Sequence, residues 1–71
     1  MEAIKIKEDF IKLDSALKLA SAVSTGGHAK FVIQNGEVLV NGEICTARGK
    51  KLYTGDVFSF ENVDYKVEKW K

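Results

Sequence analysis

The residues in this sequence best suited to chemistry are cations. Arg48, Lys50 and Lys51 stand in residues 44–55 (ICTARGKKLYTG), a twelve-residue stretch without an acid, and Lys12 and Lys30 lie upstream. Residues 44–55 carry a net +3 and residues 10–36 a net +2, against +1 for the whole 71-residue chain. Clustered ammonium and guanidinium groups suit phosphate oxygens or an acidic protein, and a merely solvated basic loop is the alternative. Catalysis has far less to draw on. Cys45 and His28 are the only cysteine and histidine, and they are distant in sequence, so neither a nucleophile–base pair nor a cysteine–histidine metal set is indicated. Asp9 with Asp14, or Asp56 with Glu61, reads better as solvated or helix-end acid than as a catalytic carboxylate pair. No catalytic residue, metal or cofactor is expected.

Thr25-Gly26-Gly27 is neither a P-loop nor a dinucleotide fingerprint. Two glycines opening a helix still call for a reason, because each costs up to about 1 kcal/mol relative to alanine. One reason is close approach of a phosphate to bare backbone N–H groups at the positive end of the helix dipole. The other is tight packing against a neighbouring helix. His28 stands on the same turn. Tyr53 and Phe31 are candidates to stack on an unpaired base, although Phe31, inside a helix, fits a core position better.

The elements that must position these groups follow from the pattern. Ile4 and Ile6 alternate with Lys5 and Lys7, as in a strand with one buried face. Phe10, Leu13, Leu17 and Ala20 recur at helical spacing and predict a helix over residues 10–21, capped by Asp9 or starting near Lys12. Ser24 or Thr25 caps a second helix over 25–35, with Ala29, Val32 and Ile33 on its apolar side and Gly36 at its left-handed end. Asn41-Gly42 predicts a type I′ hairpin pairing Val40 with Glu43, Leu39 with Ile44 and Val38 with Cys45. Gly55-Asp56 makes a further turn, and strands at 57–60 and 65–70 flank a turn at 61–64. The order implies an α+β fold, two short packed helices against a small antiparallel sheet, in a single domain over 1–71. A chain of this size buries roughly 60% of its unfolded surface. A lone thiol, no signal-like N-terminus and no apolar run of about 20 residues favour a cytoplasmic protein without a membrane span.

The stretch LDSALKLASAVSTGGHAKFVIQNGEVLVNGE, followed by RGKKLYTGD, resembles the S-four RNA-binding domain, or alpha-L RNA-binding motif, and within it the small stand-alone YaaA/YbcJ-like branch. The resemblance spans residues 11–56. It rests on Leu13-Asp14 with Leu17; Gly26-Gly27 with Ala29-Lys30; Gly36, Val38, Val40 and Asn41-Gly42; and Arg48-Gly49-Lys50-Lys51-Leu52 with Gly55-Asp56. It implies a non-catalytic protein that binds structured RNA, ribosomal or transfer RNA, in the setting of a larger ribonucleoprotein particle. The basic surface would be formed by both helices and the loop after the hairpin. By this resemblance Lys12 opens the first helix, Lys30 is the basic position of the second, and Arg48, Lys50 and Lys51 match the basic run. Asn41 and Gly42 match a turn whose work is structural. Gly26 replaces the arginine of many larger members, as in the stand-alone branch, and Ala47 stands where that branch often has a further arginine. The residues expected at the RNA are therefore Lys12, Thr25, Gly26, Gly27, His28, Lys30, Arg48, Lys50, Lys51 and Tyr53. A protein-interaction module using the same surface on an acidic partner is the rival reading.

Overall fold

A computed structural model describes residues 1–70, in the order β1 (Glu2–Ile6), β2 (Phe10–Lys12), α1 (Leu13–Leu19), α2 (Gly26–Gln34), β3 (Val38–Val40), β4 (Glu43–Ile44), β5 (Lys51–Tyr53), β6 (Val57–Phe60) and β7 (Val63–Lys69). Five strands form one sheet in the order β1-β7-β6-β3-β4, and β2 pairs with β5 in a separate two-stranded ribbon. One apolar cluster joins the elements: Ile4, Ile6, Tyr65 and Val67 from the β1–β7 edge, Val38, Val40, Phe58 and Phe60 from the centre, and Leu52 from the ribbon. Leu13, Ala16 and Leu17 of α1 and Ala29, Val32 and Ile33 of α2 close it. The α+β class and the two packed helices stand as expected. No helix among the described residues is long and apolar enough to cross a membrane.

The expected antiparallel sheet is mixed. Short connections after residue 40 keep β3, β4, β6 and β7 antiparallel, but β1 pairs parallel to β7, Ile4 opposite Val67. A parallel neighbour needs a long crossover, and the whole intervening chain supplies it here. The turn between β6 and β7 is also narrower than 61–64. Glu61 and Asn62 alone carry it, both with positive φ (52° and 65°), and Val63 and Asp64 already belong to the strand.

The Asn41-Gly42 hairpin forms with the expected register. Leu39 pairs with Ile44, Val40 with Glu43, and the Cys45 N–H donates to the Val38 carbonyl. Positive φ at both Asn41 (50°) and Gly42 (86°) gives the type I′ turn. Asn41 also ties the hairpin to its neighbours, its Oδ1 accepting from the Val57 N–H at 3.0 Å and its Nδ2 donating to Asp56 Oδ1 at 3.3 Å.

The first helix starts later than residue 10. Phe10–Lys12 is strand, because its pairing partner Lys51–Tyr53 comes from far along the chain, a non-local contact that overrides helical spacing. No side chain caps α1. Instead the N–H groups of Leu13 and Asp14 donate to the carbonyls of Lys50 (2.9 Å) and Arg48 (3.1 Å). Asp9, one of the expected caps, binds Lys69 at 2.8 Å. Both helices end in a Schellman motif: Ser21 N–H to Lys18 and Ala22 N–H to Leu17 after α1, Gly36 N–H to Ile33 and Glu37 N–H to Val32 after α2. The left-handed position is Gly36 in one (φ 77°) and Ser21 in the other (φ 58°).

Candidate nucleic-acid interface

Antiparallel register assembles the first group of cations. In the β2–β5 ribbon Phe10 lies opposite Tyr53, Ile11 opposite Leu52 and Lys12 opposite Lys51. Strand alternation turns Ile11 and the fully buried Leu52 to the core and the other two pairs outward. Lys12 and Lys51 are both exposed. Lys50 and Arg48, also exposed, lie just before β5, and their carbonyls cap α1 directly after Lys12. Lys12, Arg48, Lys50 and Lys51 are thus held around one helix start by backbone hydrogen bonds. Lys51 belongs to a strand rather than to the loop in which its sequence neighbours placed it.

The aromatic groups share this face. Tyr53 is 50% exposed, its ring centroid lies 6.0 Å from that of Phe10 at an interplanar angle of 49°, and Lys51 Nζ sits 4.9 Å from the Phe10 centroid. Tyr53 is fixed by Asp56, whose Oδ2 accepts its N–H at 2.7 Å and whose N–H donates to its carbonyl at 2.9 Å.

The second group is on α2. Thr25 is the N-cap, its Oγ1 accepting from the His28 N–H at 3.1 Å. Gly26 and Gly27 follow as the first two helical residues, whose N–H groups have no intrahelical acceptor. A Cβ added at Gly26 would meet nothing within 4 Å, and one at Gly27 would meet only Thr25 Oγ1, at 3.9 Å. Neither has positive φ. Helix packing is therefore not what these glycines serve. Gly27, Lys30, Phe31 and Gln34 recur at i, i+3, i+4 and i+7 and form the outer face, opposite Ala29, Val32 and Ile33. Phe31, expected in the core, is 64% exposed on that face. The His28 side chain is exposed beside it. Helix α1 contacts both α2 and β2, and so connects the two groups.

Electrostatically the cations are unopposed at contact distance. Among the described residues the one ion pair is Lys69 with Asp9, and none of Lys12, Lys30, Arg48, Lys50 and Lys51 has an acidic partner within 4 Å. The hydrogen bond and charge of Lys69 hold the Asp9 carboxyl below its ordinary value, whereas burial pushes the Tyr65 hydroxyl up. Neither group belongs to the cationic face. Sequence reasoning missed Phe10 as a half-buried strand residue because its spacing to Leu13 and Leu17 is helical. The available signal was the match of Phe-Ile-Lys at 10–12 with Lys-Leu-Tyr at 51–53 as two alternating segments.

Two comparisons bear on this arrangement. A family model described as the S4 domain matches residues 4–68. A protein of Bacillus subtilis (strain 168), named "Probable ribosome maturation protein RlbA", is 47% identical over 58 residues, which cover 82% of this chain and 82% of the relative.

Proposed function

The chain belongs to the S4 domain family, and from that premise we propose that it is a non-catalytic, cytoplasmic protein that binds structured RNA. The RNA is of the ribosomal or transfer class, and the name of the Bacillus subtilis relative favours a ribosomal particle as the setting. The observation that carries this reading is the meeting of Lys12 and Lys51 across the ribbon, with Arg48 and Lys50 beside them and no acid paired to any of the four. Like charges directly opposite in an antiparallel pair are destabilising. A phosphate seated between them removes that repulsion. At the α2 N-terminus Thr25 Oγ1 accepts from the His28 N–H, which leaves the Gly26 and Gly27 N–H groups for a second phosphate, with the His28 side chain beside them and Lys30 one turn further on. RNA duplexes are recognised largely through shape, phosphates and 2′-hydroxyls, which lysines and the free N–H groups of a helix end can meet without reading bases.

Salt dependence tests the reading. Five phosphate contacts (Lys12, Lys30, Arg48, Lys50, Lys51) give a log–log slope of about −3.5 to −4.5. Replacing Lys50 and Lys51 with alanine should make it shallower by about 1.4 to 1.8. Affinity should fall for all sequences alike, since phosphate contacts carry no base information, while stability moves by no more than about 0.5 kcal/mol. Coincident slopes for wild type and variant would remove this loop from the RNA interface, and an acidic protein would become the better partner for the face.

A further inference from the structure

We propose that the outer face of the β2–β5 ribbon is a stacking site for a single unpaired base, with Phe10 and Tyr53 supplying the aromatic surface and Lys12 and Lys51 holding the phosphates that flank it. The proposal rests on the RNA-binding reading and narrows its ligand to RNA with an unpaired nucleotide beside a helix.

Register is the first support. Two aromatic rings and two ammonium groups occupy the two cross-strand pairs on one side of a ribbon, and the Ile11–Leu52 pair between them turns to the core on the other side. Stability does not call for this composition. Three residues per strand make a marginal ribbon, and opposed lysines weaken it further. The second support is ring geometry. Phe10 is half-buried, and Lys51 Nζ at 4.9 Å from its centroid shows that one face of the ring is turned towards an exposed lysine rather than into the core. The rings of Phe10 and Tyr53 are tilted by 49° at 6.0 Å and are not stacked on each other. A base can take the place of the ammonium over the ring while Lys51 moves to the adjoining phosphate. The third support is a held backbone: the Asp56 carboxylate accepts from the Tyr53 N–H, the Asp56 N–H donates to the Tyr53 carbonyl, and Asn41 holds Asp56 in turn.

Phe31, the comparably exposed ring on α2, serves as the contrast. It forms no aromatic pair and carries no cation among the described residues.

The test compares a blunt RNA duplex with the same duplex carrying one bulged nucleotide, titrated against wild type, Tyr53→Ala, Tyr53→Phe and Phe31→Ala. A stacked base is worth about 5- to 150-fold in affinity, so wild type should prefer the bulged duplex by a factor in that range. Tyr53→Ala should lose the preference while keeping its affinity for the blunt duplex, which also shows that it is folded. Tyr53→Phe, which keeps the ring, and Phe31→Ala should retain the preference. Equal binding of both duplexes by wild type overturns the stacking site and leaves the RNA reading intact. A preference that survives Tyr53→Ala, or one lost equally in Tyr53→Phe, overturns it too. Binding to neither duplex at low salt overturns the RNA reading and the stacking site with it.

Discussion

Gly27→Ala separates what the second helix needs for folding from what it needs for binding. Gly27 is the second residue of α2, its φ is not positive, and the nearest atom to an added methyl is Thr25 Oγ1 at 3.9 Å, an ordinary van der Waals distance. Alanine therefore enters without strain and recovers part of the roughly 1 kcal/mol by which glycine disfavours a helix. A gain of about 0.5–1 kcal/mol is expected, or a rise in Tm of about 2–8 °C for a domain of this size. Binding should move the other way. If a phosphate accepts from the N–H groups of Gly26 and Gly27, the methyl crowds its approach and weakens a charge-assisted hydrogen bond worth about 1.5–3 kcal/mol. Kd should then rise about tenfold or more. Thermal unfolding and RNA titration on the same sample give both numbers. A higher Tm with unchanged Kd would refute the phosphate approach, and a lower Tm would refute the inference that the space over Gly27 is open.

Three further outcomes test the scaffold. Ser21→Gly, at the left-handed end of α1 (φ 58°), should stabilise by about 0.5–1 kcal/mol because a side chain is strained there, and a fall in Tm would contradict the Schellman geometry. Asn41→Ala loses the bonds to Val57 and Asp56 and places alanine at φ 50°; a cost of about 2–3 kcal/mol is expected by urea unfolding, and one under about 1 kcal/mol would mean that the turn does not depend on this clamp. Asp9, whose carboxyl Lys69 holds below the ordinary 3.8, contributes stability that is present above that value and is lost as pH falls through the lowered pKa. Asp9→Asn should therefore be less stable than wild type near neutrality, with the gap closing in acid, and a gap constant with pH would exclude the ion pair as its source.

The features legible in the sequence are local ones. Asn41-Gly42 fixed its own register, Thr25 capped the helix that follows it, and Gly36 ended that helix, because each signal acts within a few residues. The β2–β5 ribbon and the parallel β1–β7 edge join segments far apart in the chain, and no local propensity encodes such pairings. Phe10 shows the cost: with Leu13 and Leu17 it has helical spacing, yet pairing with Tyr53 across the ribbon makes it a half-buried strand residue. Phe31 fails for a different reason. It lies on the outer face of α2, and hydrophobicity alone does not say which side of a short helix meets the core. The cationic residues were legible by type, whereas the meeting of Lys12 with Lys51 and the capping of α1 by loop carbonyls were not.

These two unforeseen contacts explain how a chain of net charge +1 can carry a cationic face. Acids lie near Lys12, Arg48, Lys50 and Lys51, with Asp14 bonded through its N–H to the Arg48 carbonyl and Glu43 lining a pocket with Lys50, but none is within ion-pair distance of these four cations. Glu37, Glu61 and Asp64 line a shallow groove on the five-stranded sheet, whereas the four cations belong to the ribbon and the loop that caps α1. A net charge of +1 leaves little long-range attraction, so the proposed RNA contact would depend on these unpaired cations at short range. The same arrangement joins the cationic group to the stability of the first helix. α1 is seven residues long, has no side-chain cap, and depends on the Lys50 and Arg48 carbonyls for its first N–H groups. Repulsion between Lys12 and Lys51 works against the ribbon that presents those carbonyls. An anion that neutralised the two lysines would relieve that repulsion, so the proposed RNA contact should also stabilise the ribbon whose neighbouring carbonyls cap α1.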